Sequence, residues 1–564
     1  MGNRMSSLAT SFLRNQCPQQ RLAQGSGDES CGLVQDSNIP SACMDNYYTS
    51  FSLEGRMVML IGGVNDGVKL FGEMLFAYPF QDVDFYLPQL VNIYLKRPEA
   101  SSLLDHYFVV RCLECPEFAN ELRWLLAAYG CEKSFELTPK KALTIGQKFS
   151  TEKVPEQTQE EFINSLLAIG RNLKNIHTKE ERTHKLKLGL EALNRSLPAD
   201  VWVPLYAGEM KHSVLRIPED CGCVLNSKNK APYCIYVEVL REQSGEIGDS
   251  RTSTESKQML HTPDDPSASV MSEPWHEKVA RIRAESPYGS DPRWYLFPVI
   301  VKTGDDLRQE LLAYQFLTVL QDIWKDENLR LTLRPYKIVV CSEDSGMIEP
   351  IVNACSLHQI KRNLILHNPG RKTPPTLVTH FVYNFGHIDS ESFQDAQVNF
   401  VRSCAAYCLA CYLLQVKDRH NGNILMDAEG HIIHIDFGFI LSTSPQNLGF
   451  ENSPFKLTSE LVEVMGGEQG DMFLYFKALL LKGLIAAQKH YRRLVSLVEI
   501  QMMGSKLPCF QAGKSTLEQL EQRFLLNESQ DKLLKVVDSM VDTCLDSFRT
   551  RCYDTFQYLT NGIL

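Results

Sequence analysis

Between Lys417 and Ile440 the chain reads KDRHNGNILMDAEGHIIHIDFGFI. Asp418 and Asn423 stand five residues apart, and Asp436 opens an Asp-Phe-Gly triplet thirteen residues further on. Phosphoryl transfer from ATP uses one carboxylate to receive or orient the acceptor hydroxyl, and an amide and a second carboxylate to hold magnesium on the phosphates. These three positions supply those groups. His420 is a second candidate beside Asp418, as a base or as a positive charge against the transferring phosphoryl group, and the sequence leaves the two open.

The same chemistry needs a lysine on an upstream strand for the ATP phosphates and an acid on the following helix to orient it. VIVKTGDDLRQELL offers Lys302 at the end of an apolar run and Glu310 one to two helical turns further. Downstream, ILMD and HIIHID are short apolar runs either side of the turn residues AEG, which predicts a hairpin. A hairpin brings its ends together, so Asn423 and Asp436 would reach one metal ion.

At 564 residues the chain exceeds what one hydrophobic core usually serves, which implies two or three domains. A formal net charge of -10 argues against an overall electrostatic attraction to nucleic acid or anionic membrane, though a local basic patch would override it. Seventeen cysteines without regular spacing, behind a start with no apolar signal segment, read as reduced cytosolic thiols. Cys112 and Cys115, and Cys404, Cys408 and Cys411 at helical spacing, have no second ligand pair nearby and read as buried structural residues. No apolar run is long enough to span a bilayer.

Residues 1–45 are polar and aperiodic, a disordered leader whose first residues MGNRMSS match the myristoylation pattern at Gly2. Helical spacing predicts an all-α domain over 46–145 and further helices with a linker over 146–200. Strand-like runs follow in 201–354, interrupted by a flexible polar insertion at 243–272. The remainder, 355–564, contains a long predicted helix before the opening string. The Asn-Pro-Gly and Thr-Pro-Pro steps after residue 367 break helices there. The segment from Phe439 to Thr458 holds one basic residue, Lys456, and one acid, Glu451. An acceptor carrying several phosphates would call for more cations than Lys456, the candidate substrate contact of this activation segment, so the scarcity favours an acceptor of low negative charge. Apolar positions from Leu533 to Phe548 predict a helix packed on the preceding domain. The final dozen residues, with Phe556, Tyr558, Leu559, Ile563 and Leu564, suit a membrane interface.

KTGDDLRQE, DSGMIEPIVNA, KDRHNGNIL and HIIHIDFGFIL together resemble the phosphoinositide 3-kinase and 4-kinase superfamily, most closely its type III beta phosphatidylinositol 4-kinases. DVDFYLPQLVNIYL, SPYGSDPRWYLFPVIVKTGDDLRQELLAYQ and YDTFQYLTNGIL extend the likeness beyond the catalytic core.

The resemblance implies a multidomain α+β protein: a bilobal, protein-kinase-like lipid kinase domain preceded by a small helical domain and ending in a membrane-docking helix. It implies ATP with Mg2+, or Mn2+ in its place. Lys302 would bind the phosphates and pair with Glu310. Glu349, Pro350, Ile351 and Val352 would form the hinge that meets adenine. Ser286, Pro287, Tyr288 and Gly289 would lie in a turn over the phosphates. It further implies transfer to the 4-hydroxyl of phosphatidylinositol, a peripheral position on Golgi membranes, and recruitment by small GTPases and adaptor proteins. A related protein kinase and a catalytically inactive scaffold are the alternatives. The intact catalytic set weighs against the second, and the absence of long helical repeats against the first.

Overall fold

The computed structural model describes residues 53, 57–58, 72–130, 155–225, 230–242, 273–367, 375–444 and 453–564. Gly2, the leader, Glu451 and the insertion at 243–272 lie outside them. Helices α1 (Phe80–Phe85), α2 (Leu87–Lys96), α3 (Pro98–Glu114) and α4 (Pro116–Gly130) form an all-α region. Proline opens α3 and α4, where its missing N–H costs nothing. Helices α5 (Pro155–Lys174) and α6 (Lys179–Asn194) lead to the first sheet.

That sheet contains β1 (His212–Arg216), β2 (Cys223–Val224), β3 (Tyr233–Arg241), β4 (Trp294–Thr303), β5 (Ile338–Ser342) and β6 (Ser345–Ile348). Its order is β1-β3-β4-β6-β5, with β2 on β3, and its pairs are antiparallel. Both faces of β3 are buried, because side chains alternate along a strand and each face has its own cover. Tyr233, Ile235, Val237 and Val239 join the cluster beneath α5 and α6, with Leu166 and Leu190. Cys234 and Tyr236 face the other way, toward Trp275 and Ile282 of α7 (Trp275–Glu285). Helix α8 (Arg308–Asp326) follows β4 and is buried along most of its length.

The segment Glu349–Asn353 connects β6 to β7 (Ala354–Ser356), which pairs with β8 (Ile424–Asp427) and β9 (Ile432–His434) in a separate three-stranded sheet. Around it lie α9 (Leu357–His367), α10 (Leu377–Phe385), α11 (Glu391–Leu414), α12 (Ser459–Val464), α13 (Asp471–Lys489), α14 (Tyr491–Met502), α15 (Lys514–Arg523), α16 (Gln530–Cys544) and α17 (Phe548–Asn561). Ser390 caps α11 by accepting from the N–H of Phe393. Cys404, Cys408 and Cys411 are buried in α11 outside any disulfide, and no metal-binding cluster occurs among the described residues. Leu533, Val537, Met540, Val541 and Cys544 form the buried face of α16, as their spacing predicts, whereas Phe548 is exposed.

These elements belong to one unit, Glu54–Leu564. The all-α region bears on both lobes. Gln89 of α2 and Gln315 of α8 exchange side-chain hydrogen bonds of 2.8 and 2.9 Å, and Asn92 donates to the carbonyl of Ile500 in α14 at 2.7 Å. No described helix is long and apolar enough to cross a membrane.

Candidate active site

Lys302 is the last residue but one of β4, close to the end of the strand that leads to α8. Its ammonium lies 2.9 Å from Glu310 and 3.2 Å from Asp305. Lys230, before β3, also pairs with Asp305. Burial would lower the Lys302 pKa, but Glu310, Asp436 and Asp305 outweigh it and hold the value above that of a free lysine. Burial raises the Glu310 carboxyl, and Lys302 opposes that. We take the pair as ionised, because the ammonium faces three carboxylates.

The catalytic loop and the Asp-Phe-Gly segment meet because β8 and β9 form the expected hairpin, with Ile424 opposite His434. The N–H of Ile435 donates to the carbonyl of Asn423 at 3.0 Å. Asn423 spends its amide nitrogen on the carbonyl of Asp418, at 3.0 Å, which leaves its oxygen as the atom for a cation. Asp418 and Asp436 both have φ of 61°, a left-handed conformation that costs energy in a residue with a Cβ. Both strained residues are the carboxylates that the chemistry requires.

Arg419, buried between them in sequence, holds the arrangement. Its guanidinium donates to the carbonyls of Lys417 at 3.0 Å, Ile435 at 2.8 Å and Asp436, and lies over the Phe437 ring. Tyr336 accepts from the N–H of Asp436 at 3.2 Å. Burial would raise the Asp436 carboxyl, but Lys302, Arg419 and the N–H of Gly438 hold it below the ordinary aspartate value. It therefore stays an anion.

Of the three histidines in the opening string, only His420 adjoins the catalytic carboxylates. His431 pairs with Asp427 at 3.1 Å in the hairpin turn, and His434 is buried and stacked on Tyr407. The N–H of Gly422 donates to Nδ1 of His420 at 3.1 Å, so the neutral ring carries its proton on Nε2, 3.8 Å from Asp418. Burial, then Arg419 and Lys456, push this imidazole down to about 4. It is a neutral donor near pH 7.

Helix α17 reaches this loop from the far end of the chain. Tyr553 donates to Oδ1 of Asp418, Gln557 approaches the same oxygen at 3.5 Å, and Asn421 donates to the carbonyl of Leu564 at 2.8 Å. Lys456, expected to serve the substrate from the activation segment, is buried and paired with Asp554 of α17 at 2.6 Å. The opposite face of α17 exposes Phe556, Tyr558 and Leu559.

The hinge expectation fits the chain path, since Glu349, Pro350, Ile351 and Val352 pass between the two sheets. The three later residues line a small pocket with Tyr236 and Trp275.

The expectation for Ser286, Pro287, Tyr288 and Gly289 is corrected. Their turn precedes Trp294, which pairs with Leu240, whereas Val301 pairs with Tyr233 at the other end of the same two strands. Lys302 lies eight residue steps along the strand from Trp294, a span of about 26 Å. Ser286 instead donates to Glu238, a fully buried carboxylate that also accepts from Trp294 Nε1 at 2.9 Å. The turn closes the sheet far from the phosphate-binding lysine. The strand ends near Lys302 are those at Val224 and Tyr233.

A cavity of about 570 Å³ is lined by Tyr314, Arg334, Lys337 and His431 and touches none of Lys302, Asp418 or Asp436. Sequence reasoning passed over Asp305, Arg419, Tyr336, Tyr553 and Gln557. Only Asp305 and Arg419 carried a local signal, as polar neighbours of Lys302 and Asp418.

Two lobes joined by a hinge, a lysine–glutamate pair and two strained aspartates define a bilobal kinase. The profile of phosphatidylinositol 3- and 4-kinases matches residues 296–512. The profile described as the PI4KB/PIK1 accessory (PIK) domain matches residues 60–127. The chain is 41% identical to a phosphatidylinositol 4-kinase beta of Xenopus tropicalis, over 91% of this chain and 82% of the relative. It is 40% identical to that of Sorex araneus over 91% and 83%, and 39% identical to that of Danio rerio over 91% and 81%. The chain belongs to the phosphatidylinositol 4-kinase beta family.

Proposed function

We propose that this enzyme transfers the γ-phosphate of ATP to the 4-hydroxyl of phosphatidylinositol on cytosolic membrane faces, those of the Golgi among them. The observation that carries the reading is the convergence of Asp418, Asn423 and Asp436 with the Lys302–Glu310 pair in a chain of this family.

Lys302, with Lys230 beyond Asp305, meets the phosphates, and the hinge backbone from Glu349 to Val352 meets adenine. The oxygen of Asn423 and the carboxylate of Asp436 would hold Mg2+, or Mn2+. Both are hard oxygen donors, and two protein ligands suit a Mg2+ that shares its shell with phosphates and water. Bound there, the ion would neutralise charge on the phosphates. Asp418 orients the inositol hydroxyl and takes its proton, while His420 donates from Nε2. An aspartate is a weak base, but this reaction depends chiefly on positioning and electrostatics.

The exposed face of α17 supports bilayer contact by the end of the chain. Small GTPases and Golgi adaptor proteins are the proposed recruiters, acting at the all-α region and flanking segments. The Gln89–Gln315 link would pass a disturbance of that region to α8, which carries Glu310.

Product analysis tests the reading. Purified protein with magnesium-ATP is offered vesicles of phosphatidylinositol, vesicles of its phosphorylated derivatives, and a peptide. The expected product is phosphatidylinositol 4-phosphate, reduced at least ~100-fold by Asp436→Asn. Label at another hydroxyl, or none from folded protein, would overturn it.

A further inference from the structure

The outer faces of α9 and α10 are apolar without a structural need. Their inner faces already complete the core, through Leu357 and Ile360 of α9 and through Leu377 and Phe381 of α10. Phe381 packs against Phe385, Phe393 and Phe400. Yet Ile365 is 46% exposed, Leu366 55%, Val382 43% and Tyr383 63%. Neither helix contains an aspartate or glutamate, in a chain with a formal net charge of -10. Lys361, paired with Glu460 at 3.0 Å, and Arg362 are the cations of α9. Ile388 is also exposed, but Asp389 follows it and we leave it out of the patch.

The position of these helices says what they meet. His358, in the first turn of α9, accepts from the N–H of Leu564 at 2.9 Å, and Leu564 accepts in turn from Asn421 of the catalytic loop. From His358 to Leu366 is about 12 Å along a helix. The acceptor lipid of the proposed reaction is held in a bilayer, so a face this near the catalytic loop comes within reach of the bilayer surface. Aliphatic tips with one tyrosine suit the boundary between headgroups and acyl chains, and helices that carry no carboxylate of their own limit repulsion from anionic lipid.

We propose that α9 and α10 form a bilayer-docking surface beside the catalytic loop, centred on Ile365, Leu366, Val382 and Tyr383 and distinct from the C-terminal helix. It inserts shallowly and sets how long the catalytic loop stays on the membrane. The inference rests on the lipid-kinase reading above.

The test uses the full chain with Leu366→Gln and Tyr383→Gln combined. Binding is measured by co-sedimentation with vesicles of phosphatidylcholine, phosphatidylserine and phosphatidylinositol. Turnover is measured on those vesicles and on monomeric short-chain phosphatidylinositol. Vesicle binding and vesicle kcat/KM should fall roughly ten-fold or more, with short-chain kcat/KM within about two-fold of the parent. Short-chain turnover by both proteins also shows that the variant folds. Unchanged vesicle binding would overturn the proposal and leave the patch to a protein partner. Equal loss on both substrates would overturn it too, as damage to the site. As an independent readout, Tyr383→Trp should shift its emission to the blue on adding the vesicles, and no shift counts against insertion. If the parent turns over neither substrate, it is the lipid-kinase reading that fails.

Discussion

The division of labour between Asp418 and His420 gives a sharp prediction. Burial and two neighbouring cations lower the His420 pKa from 6.5 to about 4, which disfavours the imidazolium by about 3 kcal/mol. At pH 7 roughly one ring in a thousand would be charged. Its Nδ1 lone pair accepts from Gly422, so the ring can donate but has no basic nitrogen facing Asp418. His420→Gln, which keeps a donor, should therefore lower kcat by no more than about ten-fold, whereas Asp418→Asn should cost at least ~100-fold. The assay is kcat/KM from pH 5.5 to 8.5 on short-chain phosphatidylinositol. The parent should show no acid limb that disappears in His420→Gln. A limb near 6.5 that does disappear would refute the reasoning and make the imidazole the base.

The same shift has a consequence for stability. Between pH 6.5 and about 4 the unfolded chain protonates His420 and the folded chain does not, so stability falls as pH falls. The loss from this residue is about 2 kcal/mol at pH 5 and nearly nil at pH 7. Urea unfolding of the parent against His420→Gln at the two pH values measures it.

Two further substitutions probe the small lobe. Ser286→Ala should lower stability by about 1 kcal/mol through the lost bond to Glu238 while leaving KM for ATP unchanged; a raised KM without loss of stability would return this turn to the phosphates. Glu310→Gln breaks a buried pair and should cost about 3 kcal/mol of stability, together with a large fall in kcat/KM for ATP. Thermal unfolding and steady-state kinetics read the two effects separately, and an unchanged melting temperature would show that Asp305 alone suffices to hold Lys302.

What the sequence by itself determined was local. The turn residues Ala428–Gly430 between two apolar runs dictate the β8–β9 hairpin, and the hairpin alone brings Asn423 near Asp436. Lys302 and Glu310 are eight residues apart across one strand-to-helix turn, so their pairing was also legible. β-Branched and aromatic runs announced β3 and β4 but not which strands they pair with. Strand register and partners are set by packing across many residues, and that is where the reading of Ser286–Gly289 failed. Proximity to Lys302 in sequence, along an extended strand, is distance in space. Tyr553 lies 135 positions from Asp418, and Gln89 lies 226 from Gln315. No spacing rule reaches that far. Only the tertiary structure decided these contacts: packing α17 against the catalytic loop gave Asp418 its tyrosine and Lys456 its Asp554, and packing α2 against α8 joined Gln89 to Gln315.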